Sequence, residues 1–311
     1  MQYPLTGYCK MVYNEQKDGI HRQQDRQGAS SMAFRITADS SSNIRQLEGV
    51  SFASVPLRII TREREYVDDA QLDVGRMVDE LHAYRGTSST SCPNVHDWLE
   101  AFGDAEGVFA ITITSSLSGS CNAARQAAQE YMKEHPGRKA CVIDTLSTGP
   151  EMRLLAERIR AGIQAGRSFE EIEADARGYL AHTHLLFMLQ SLNNLARNGR
   201  ISPAAAKIAG VLGICVLGKA SDEGTLQQMH KCRGEKRALD AVLSEMGKHG
   251  YAGGRVCISH CLNEAAAQQL AAAIRAKHPH ARVDIEPCGG LCSFYAERGG
   301  MIIGFEDGEA A

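Results

Sequence analysis

The sequence predicts an α/β protein built as two α/β domains with mostly parallel sheets, with a ligand site in the cleft between them. From residue 33 onward, short apolar runs alternate with amphipathic helical patterns, which is typical of sheets whose strands are joined by helices. A length of 311 residues exceeds what one ordinary domain needs. A hydrophobic content of 43% supplies enough apolar side chains for a substantial core.

The predicted strands are short apolar runs rich in β-branched residues, as expected for buried strands. In chain order they are Phe34–Asp39, Val55–Thr61, Val108–Thr114, Cys141–Asp144, His184–Leu189, Ile214–Leu217, Arg255–His260 and Arg282–Glu286. The predicted helices are Leu72–His82, Ser118–Lys133, Met152–Ala165, Ser168–Ala181, Lys236–His249 and Glu264–Lys277. In the third of these helices, apolar residues such as Leu155 and Ile159 recur at helical spacing and predict one face packed against a sheet.

The chain divides into three parts. Residues 1–32 are predicted to be a flexible tail, because Asn14–Gln27 is almost entirely polar. An additional N-terminal structural element is the alternative for this segment. Residues 33–182 are predicted to form the first domain and residues 183–311 the second, with the boundary between the helix that ends near Ala181 and the run His184–Leu189.

Composition excludes several classes of protein. Lys and Arg number 34 against 37 Asp and Glu, a net charge of −3 that disfavours a nucleic-acid partner. No window approaches the ~20 apolar residues of a membrane span, so no integral membrane segment is predicted. The polar N-terminus lacks the apolar region of a signal peptide, which predicts a soluble, cytoplasmic protein. The ten cysteines are therefore expected to be free thiols.

Hydroxyl side chains are concentrated in loops that follow strands and lead into helices. They occur at Ser40–Ser42, Thr87–Ser91, Ser115–Ser120 and Thr145–Thr148. A single such residue is readily explained as a helix N-cap. Runs of hydroxyls beside helix N-termini also form a site for an anion, and the absence of Lys and Arg from these loops favours one carboxylate over a polyphosphate. No strand is followed by the glycine-rich motif of nucleotide-binding proteins.

Two enzyme-like alternatives remain open at this point. Ser118 is a candidate nucleophile, but Ser116 and Ser120 stand where the hydrolase motif Gly-x-Ser-x-Gly requires glycine. Cys257-x-x-His260-Cys261 together with Cys288-x-x-x-Cys292 has spacing compatible with zinc. The metal hypothesis is weakened because Cys257 and His260 of one strand point to opposite faces. We therefore predict neither a metal nor a cofactor.

Several short motifs follow one another along the chain in a recognisable order. They are Phe34–Ser42, Ser54–Ile59, Tyr66-Val-Asp68, Thr90-Ser-Cys-Pro93, Ser115–Ser120, Asp144–Thr148, Leu192–Ser202 and Arg233-Gly234. Each motif is weak alone, but together, from about Phe34 to Glu306, their order resembles that of the DegV family.

The resemblance implies a non-catalytic protein that binds a long-chain fatty acid and presents it to a kinase subunit for acyl-phosphate formation. It assigns carboxylate binding to Thr90 of Thr-Ser-x-Pro and to Ser118 of Leu-Ser-Gly, and it places Arg200 of Gly-Arg-Ile-Ser near the head group. Ser91 is expected to face the head group or the kinase. The second domain is expected to contribute the acyl-chain pocket.

The chain departs from the family pattern at two places. The window Ser293–Met301 lacks the His of a His-x-Gly-Pro-Gly motif, and Tyr295 or Arg298 is a candidate replacement near the head group. Cys92 stands where Gln is more common, and we interpret it as a tolerated loop substitution.

Physical chemistry supports a fatty-acid site with these residues. A carboxylate gains charge-assisted hydrogen bonds from hydroxyls, and about fourteen buried methylenes contribute on the order of 10 kcal/mol before association losses. Ala204–Leu217 is apolar enough to line a tunnel, although an ordinary core segment is an equal alternative. The competing functions are a serine hydrolase or phosphoryl-transfer enzyme and a sensor or carrier for another apolar acid.

Overall fold

A computed structural model describes residues 34–202 and 213–308. The predicted tail, residues 1–32, and residues 204–212 of the proposed tunnel segment lie outside the described residues. Within the described ranges, two sheets flanked by helices confirm the α/β class. The strands of a small third sheet are inserted in the chain between two strands of the first sheet.

The first sheet has four parallel strands in the order β2-β1-β6-β7. Its strands are β1 (Phe34–Asp39), β2 (Ser51–Val55), β6 (Gly107–Thr112) and β7 (Lys139–Asp144). All six residues of β6 are buried, as expected for a central strand covered on both faces. The carboxyl ends of these strands therefore meet at one edge, where parallel sheets present their ligand-binding loops.

The small sheet is antiparallel, in the order β4-β3-β5. Its strands are β3 (Arg58–Ile60), β4 (Glu65–Val67) and β5 (Ser89–Ser91). The predicted strand Val55–Thr61 is thus two strands, since Pro56 has no N–H to continue the ladder. Strand β5 was predicted to be a hydroxyl-rich loop, and its short polar sequence gives no strand pattern.

The second large sheet has six strands in the order β10-β9-β8-β13-β11-β12. The strands are β8 (Thr183–Leu189), β9 (Ile214–Ala220), β10 (Leu226–Arg233), β11 (Val256–His260), β12 (Val283–Pro287) and β13 (Met301–Glu306). Only β11 and β12 pair in parallel, which corrects the expectation of mostly parallel sheets for this half. The pairing is antiparallel elsewhere because of how the strands are connected. A short turn joins β9 to β10, which makes this pair antiparallel, and β13 lies between β8 and β11 and runs antiparallel to both.

The helices mostly follow the predicted amphipathic patterns. They are α1 (Val74–Ala83), α2 (Val95–Phe102), α3 (Ser120–Glu134), α4 (Pro150–Gln164), α5 (Phe169–Tyr179), α6 (Asn193–Arg197), α7 (Glu235–Lys248), α8 (Glu264–Lys277) and α9 (Gly290–Ala296). Helix α5 begins with a capping box in which Ser168 and Glu171 satisfy each other's backbone N–H groups. The prediction missed α2, α6 and α9, each of eight residues or fewer.

Helix α4 lies between the two large sheets. Met152 and Leu155 are fully buried in the core that also contains Ile36 of β1 and Cys257 of β11. A Cβ atom on Gly304 of β13 would stand 2.7 Å from the backbone nitrogen of Glu151, so the helix packs directly on that glycine. The proposed domain boundary at residues 182 and 183 coincides with the start of β8. Among the described residues, no helix combines the length and the apolar character required to cross a membrane.

A candidate carboxylate-binding cavity

A cavity of about 300 Å³ lies between the two halves of the chain. Strand β8 supplies part of its wall, because alternate residues Leu185, Phe187 and Leu189 face it while Leu186 and Met188 pack into a separate core on the other face. Its other apolar walls come from both halves of the chain, including Leu57 and Ile302. Its size is at the lower end of the ~300–1,000 Å³ typical of small-molecule sites.

The five candidate residues Thr90, Ser91, Ser118, Arg200 and Tyr295 all line this cavity. They come from four separate parts of the chain and are brought together by the fold. Their proximity is an observation; their role in binding a carboxylate stays a prediction.

Thr90 is held in place by the small sheet and by a tyrosine. It lies opposite Ile59 in the β3–β5 ladder, so its backbone position is fixed by the sheet. Its Oγ1 lies 2.8 Å from the hydroxyl oxygen of Tyr295, 205 residues further along the chain. Burial raises the pKa of Tyr295, which keeps its phenol protonated and able to donate a hydrogen bond.

Tyr295 lies on α9, and the first turn of that helix is bound by Asp68 of the Tyr66-Val-Asp68 motif. Asp68 is fully buried, and its carboxylate accepts hydrogen bonds from the backbone N–H groups of Gly290 (2.7 Å) and Leu291 (2.9 Å) at the start of α9. Arg45 donates to the same carboxylate at 2.6 Å and to the backbone oxygen of Asp68 at 2.7 Å. This arrangement fastens the helix that carries Tyr295 to the first half of the chain.

Ser118 lies just before α3, and Gly119 is the N-cap of that helix. The Oγ atom of Ser118 accepts a hydrogen bond from the N–H of Ser120 at 3.3 Å, which leaves its own hydrogen free to donate to a ligand. The positive end of a 15-residue helix therefore lies beside the cavity.

A buried carboxyl group, that of Asp39, stabilises the start of α3 next to Ser118. Asp39, at the end of β1, accepts hydrogen bonds from the Oγ of Ser41 (2.5 Å), the Oγ of Ser120 (2.7 Å) and the N–H of Ile113 (2.9 Å). Burial raises the pKa of Asp39, against the opposing effect of these donors. The sequence signal for this residue was a strand-terminal Asp followed by serines, but nothing indicated its partners.

Several hydroxyl side chains of the predicted loops bind the protein's own backbone, which narrows the expected anion site to the hydroxyls that line the cavity. Ser40–Ser42 form a buried 3₁₀ turn and do not line the cavity. Thr114 and Ser116 donate to the backbone oxygens of Gly224 (2.9 Å) and Glu223 (2.6 Å) in the turn between β9 and β10. From the fourth loop, Thr148 reaches the cavity.

Arg200 is the one charged side chain among the described residues that line the cavity. Its Nε donates to the backbone oxygen of Leu117 (3.2 Å), and its Nη1 donates to that of Asn198 (2.5 Å). Its guanidinium carbon lies 5.9 Å from the centre of the Tyr295 ring. The positive charge of Arg200 is thus held beside Leu117, which precedes Ser118, and beside Tyr295, which contacts Thr90.

The two enzyme-like alternatives find little support in the described residues. The described lining of the cavity offers Ser118 no histidine or carboxylate as a base. No three described His, Cys, Asp or Glu side chains are grouped so that they could hold a metal ion. Burial raises the pKa of Cys257, Cys288 and Cys292, as expected for thiols packed in the protein interior.

Comparison with known proteins identifies the family. The family model described as "Uncharacterised protein, DegV family" matches residues 33–307. The chain belongs to the DegV family. A DegV domain-containing protein of Streptococcus pneumoniae is 43% identical over 279 residues, which cover 88% of this chain and 99% of that protein.

Two solved DegV structures are similar along nearly the same length. A DegV family protein from Eubacterium eligens, loaded with heptadecanoic acid, has a TM-score of 0.87 and 45% identity, covering 88% of this chain and 100% of that one. The fatty acid kinase (Fak) B3 protein of Streptococcus pneumoniae, loaded with linoleic acid, has a TM-score of 0.87 and 43% identity, covering 88% and 99%.

The structure locates the two departures from the DegV pattern, the missing histidine and Cys92. Of the two candidate replacements for the missing histidine, Tyr295 lies in the cavity beside Thr90, whereas Arg298 forms an ion pair with Asp79 on the surface. Cys92 is half-buried and lines the cavity, and a Cβ on Gly119 would lie 3.1 Å from its sulfur. The substitution at position 92 is therefore inside the site and not in a remote loop.

Proposed function

We propose that this DegV protein binds one long-chain fatty acid per chain. Thr90 and Ser118 hold the carboxylate by their hydroxyls, Arg200 supplies the opposite charge, and the acyl chain occupies the apolar remainder of the cavity. Ser91 and Tyr295 complete the polar side of the site. The observation that carries the proposal is an otherwise apolar cavity whose described lining has a single charge, positive, next to several hydroxyl groups.

The hydrogen-bond pattern suits an anion. When the Tyr295 phenol donates to Oγ1 of Thr90, the Thr90 hydrogen is left to point at a ligand. A carboxylate there accepts charge-assisted hydrogen bonds from both hydroxyls, in a setting where burial strengthens electrostatic attraction. The N-terminus of α3 adds ~0.3–1 kcal/mol for a negative charge.

The ligands of the two related structures support the chemical class. Heptadecanoic acid and linoleic acid are each a single carboxylate on a long apolar chain. Both relatives share the fold over almost the whole of their own length, which supports the same ligand class for this chain.

We also propose that the protein is a non-catalytic carrier that presents the acid to a fatty acid kinase subunit in the cytoplasm. Support comes from the name of the Fak B3 relative and from the lack of a base for Ser118 among the described lining residues. The carboxylate would lie near Ser91 and Arg200, where the kinase must reach it to phosphorylate it.

The first experiment identifies the ligand. The purified protein is denatured, released lipid is identified by mass spectrometry, and native mass gives the stoichiometry. One fatty acid per chain is expected. An empty protein that also takes up no added fatty acid would contradict the proposal, and a different apolar acid would favour the sensor or carrier alternative.

The second experiment tests the site. We expect Thr90→Ala with Ser118→Ala to lower fatty-acid affinity by at least about a hundredfold, since each lost hydrogen bond to a charged group is worth roughly 1.5–3 kcal/mol. Ser89→Ala is the matched control, because Ser89 lies on the same strand but is exposed and outside the cavity lining. Unchanged lipid retention in the double variant would rule out this assignment. Ester hydrolysis by the isolated protein that is lost in Ser118→Ala would favour the hydrolase alternative.

A further inference from the structure

A second cavity of about 320 Å³ adjoins the first. Among the described residues, the two cavities share three lining side chains, Phe187 of β8, Leu195 of α6 and Leu226 of β10. All three are apolar, so the described part of the boundary between the cavities carries no charged or hydrogen-bonding side chain. Val216 and Leu192 add further apolar surface to the second cavity.

The Phe187 ring is held in the boundary by a glycine on the next strand. Phe187 and Gly218 are opposite each other in the β8–β9 ladder. A Cβ atom on Gly218 would stand 2.2 Å from Cζ and 2.6 Å from Cε2 of the Phe187 ring, closer than any real side chain allows. The ring therefore extends from β8 over Gly218 of β9, the strand that pairs with β10, and Leu226 is the first residue of β10.

The position of the ring determines how much apolar space is continuous. With Phe187 across Gly218, the first cavity ends at Phe187, Leu195 and Leu226. Truncation of Phe187 removes the largest of these three side chains and joins the first cavity to the second. Leu189, two residues along β8 on the same face, lines the first cavity and not the second, so its truncation enlarges the first cavity without opening the boundary.

We propose that Phe187, seated on Gly218, is the chain-length stop of this protein, and that it excludes the end of the acyl chain from the second cavity. That cavity is mostly apolar, with Ser202, Gln227 and Gln228 as its described polar lining residues. This inference rests on the proposed fatty-acid function and deepens it. Phe187 does not touch the carboxylate in this scheme; it sets the longest chain that binds without strain.

The test uses competition among fatty acids. Wild-type protein, Phe187→Ala, Phe187→Leu and Leu189→Ala are each incubated with an equimolar mixture of saturated acids that differ in length, and the bound acids are quantified by mass spectrometry. Because each methylene that becomes buried is worth about a fourfold gain in affinity, we expect Phe187→Ala to shift bound ligand towards acids four carbons longer by at least about tenfold. Phe187→Leu should give a smaller shift in the same direction.

The controls separate the possible failures. Leu189→Ala should shift the distribution by no more than about one or two carbons, because it adds space only in the first cavity. An unchanged distribution in both Phe187 variants, or an equal shift in Leu189→Ala, would overturn the chain-length assignment while leaving fatty-acid binding intact. If Phe187→Ala does not fold, Phe187→Leu decides alone. A wild-type protein that binds none of the acids would overturn the proposed function itself.

Discussion

The buried carboxylate of Asp68 offers the sharpest test of how the binding cavity is assembled. In Asp68→Asn, the side chain keeps its size but loses its charge. The amide oxygen of Asn replaces one of the two carboxylate oxygens and can still accept a hydrogen bond. The amide NH₂ group replaces the other oxygen, cannot accept, and faces a backbone N–H group. One of the two N–H groups of Gly290 and Leu291 is left without an acceptor, and Arg45 loses its charged partner.

The expected magnitude follows from these contacts. A buried donor left unpaired costs roughly 1–3 kcal/mol, and exchanging a charged acceptor for a neutral one in the remaining hydrogen bonds adds about 1 kcal/mol. The Arg45 side chain is 30% exposed, so water compensates for part of its loss. We therefore expect Asp68→Asn to lower the free energy of unfolding by about 2–4 kcal/mol.

Urea unfolding followed by circular dichroism measures this change as a lower midpoint at an unchanged slope. Because α9 carries Tyr295, the same variant should also retain less fatty acid. Asp69→Asn is the control, since Asp69 accepts one exposed hydrogen bond from the N–H of Gln71 and should cost less than about 0.5 kcal/mol. A loss in Asp68→Asn no larger than in Asp69→Asn would refute the anchoring of α9 by Asp68.

Two further predictions concern a buried acid and a cavity thiol. Burial raises the pKa of Glu151 above its ordinary 4.5, against the opposing hydroxyls of Ser147 and Thr183, so the folded state binds more protons than the unfolded state. Its stability contribution is thus present below about pH 4.5 and falls as pH rises towards the raised pKa. Glu151→Gln should remove this part of the pH dependence in urea midpoints, and parallel profiles for the two proteins would contradict it. Cys92 should react with a small thiol reagent in the empty protein and be protected by bound fatty acid, as read by peptide mass spectrometry; equal labelling would place the ligand elsewhere.

The sequence predicts elements well where local chemistry decides them. The capping box of Ser168 and Glu171 starts α5 where expected, and the apolar run Phe34–Asp39 forms β1 with the predicted bounds. The strand order of the second sheet escaped prediction, because buried strands carry the same pattern in parallel and antiparallel sheets. Strand β13 (Met301–Glu306) was missed although its residues are apolar.

In the candidate site, too, local motifs identify individual residues, whereas the contacts between them depend on long-range packing. Thr90, Ser118 and Arg200 were found through motifs, and Tyr295 as a candidate substitute for a missing histidine. The 2.8 Å approach of Tyr295 to Thr90 depends on Asp68 and α9, contacts across more than 200 residues that no local pattern encodes. The apolar end of the site, with Phe187 on Gly218, depends on the pairing of β8 with β9 and was likewise beyond sequence reasoning.

The position of α4 between the two large sheets has a consequence for synthesis on the ribosome. One side of the helix packs into the core of the first sheet, and its other side packs against β11 and β13. Strand β13 is the last strand among the described residues. Two ion pairs between α4 and the second half of the chain, Arg153 with Glu286 and Glu157 with Arg255, also form only after the second sheet has folded against the helix. A nascent chain that ends before β13 therefore exposes apolar surface, so the completed first half is the species most in need of protection from aggregation.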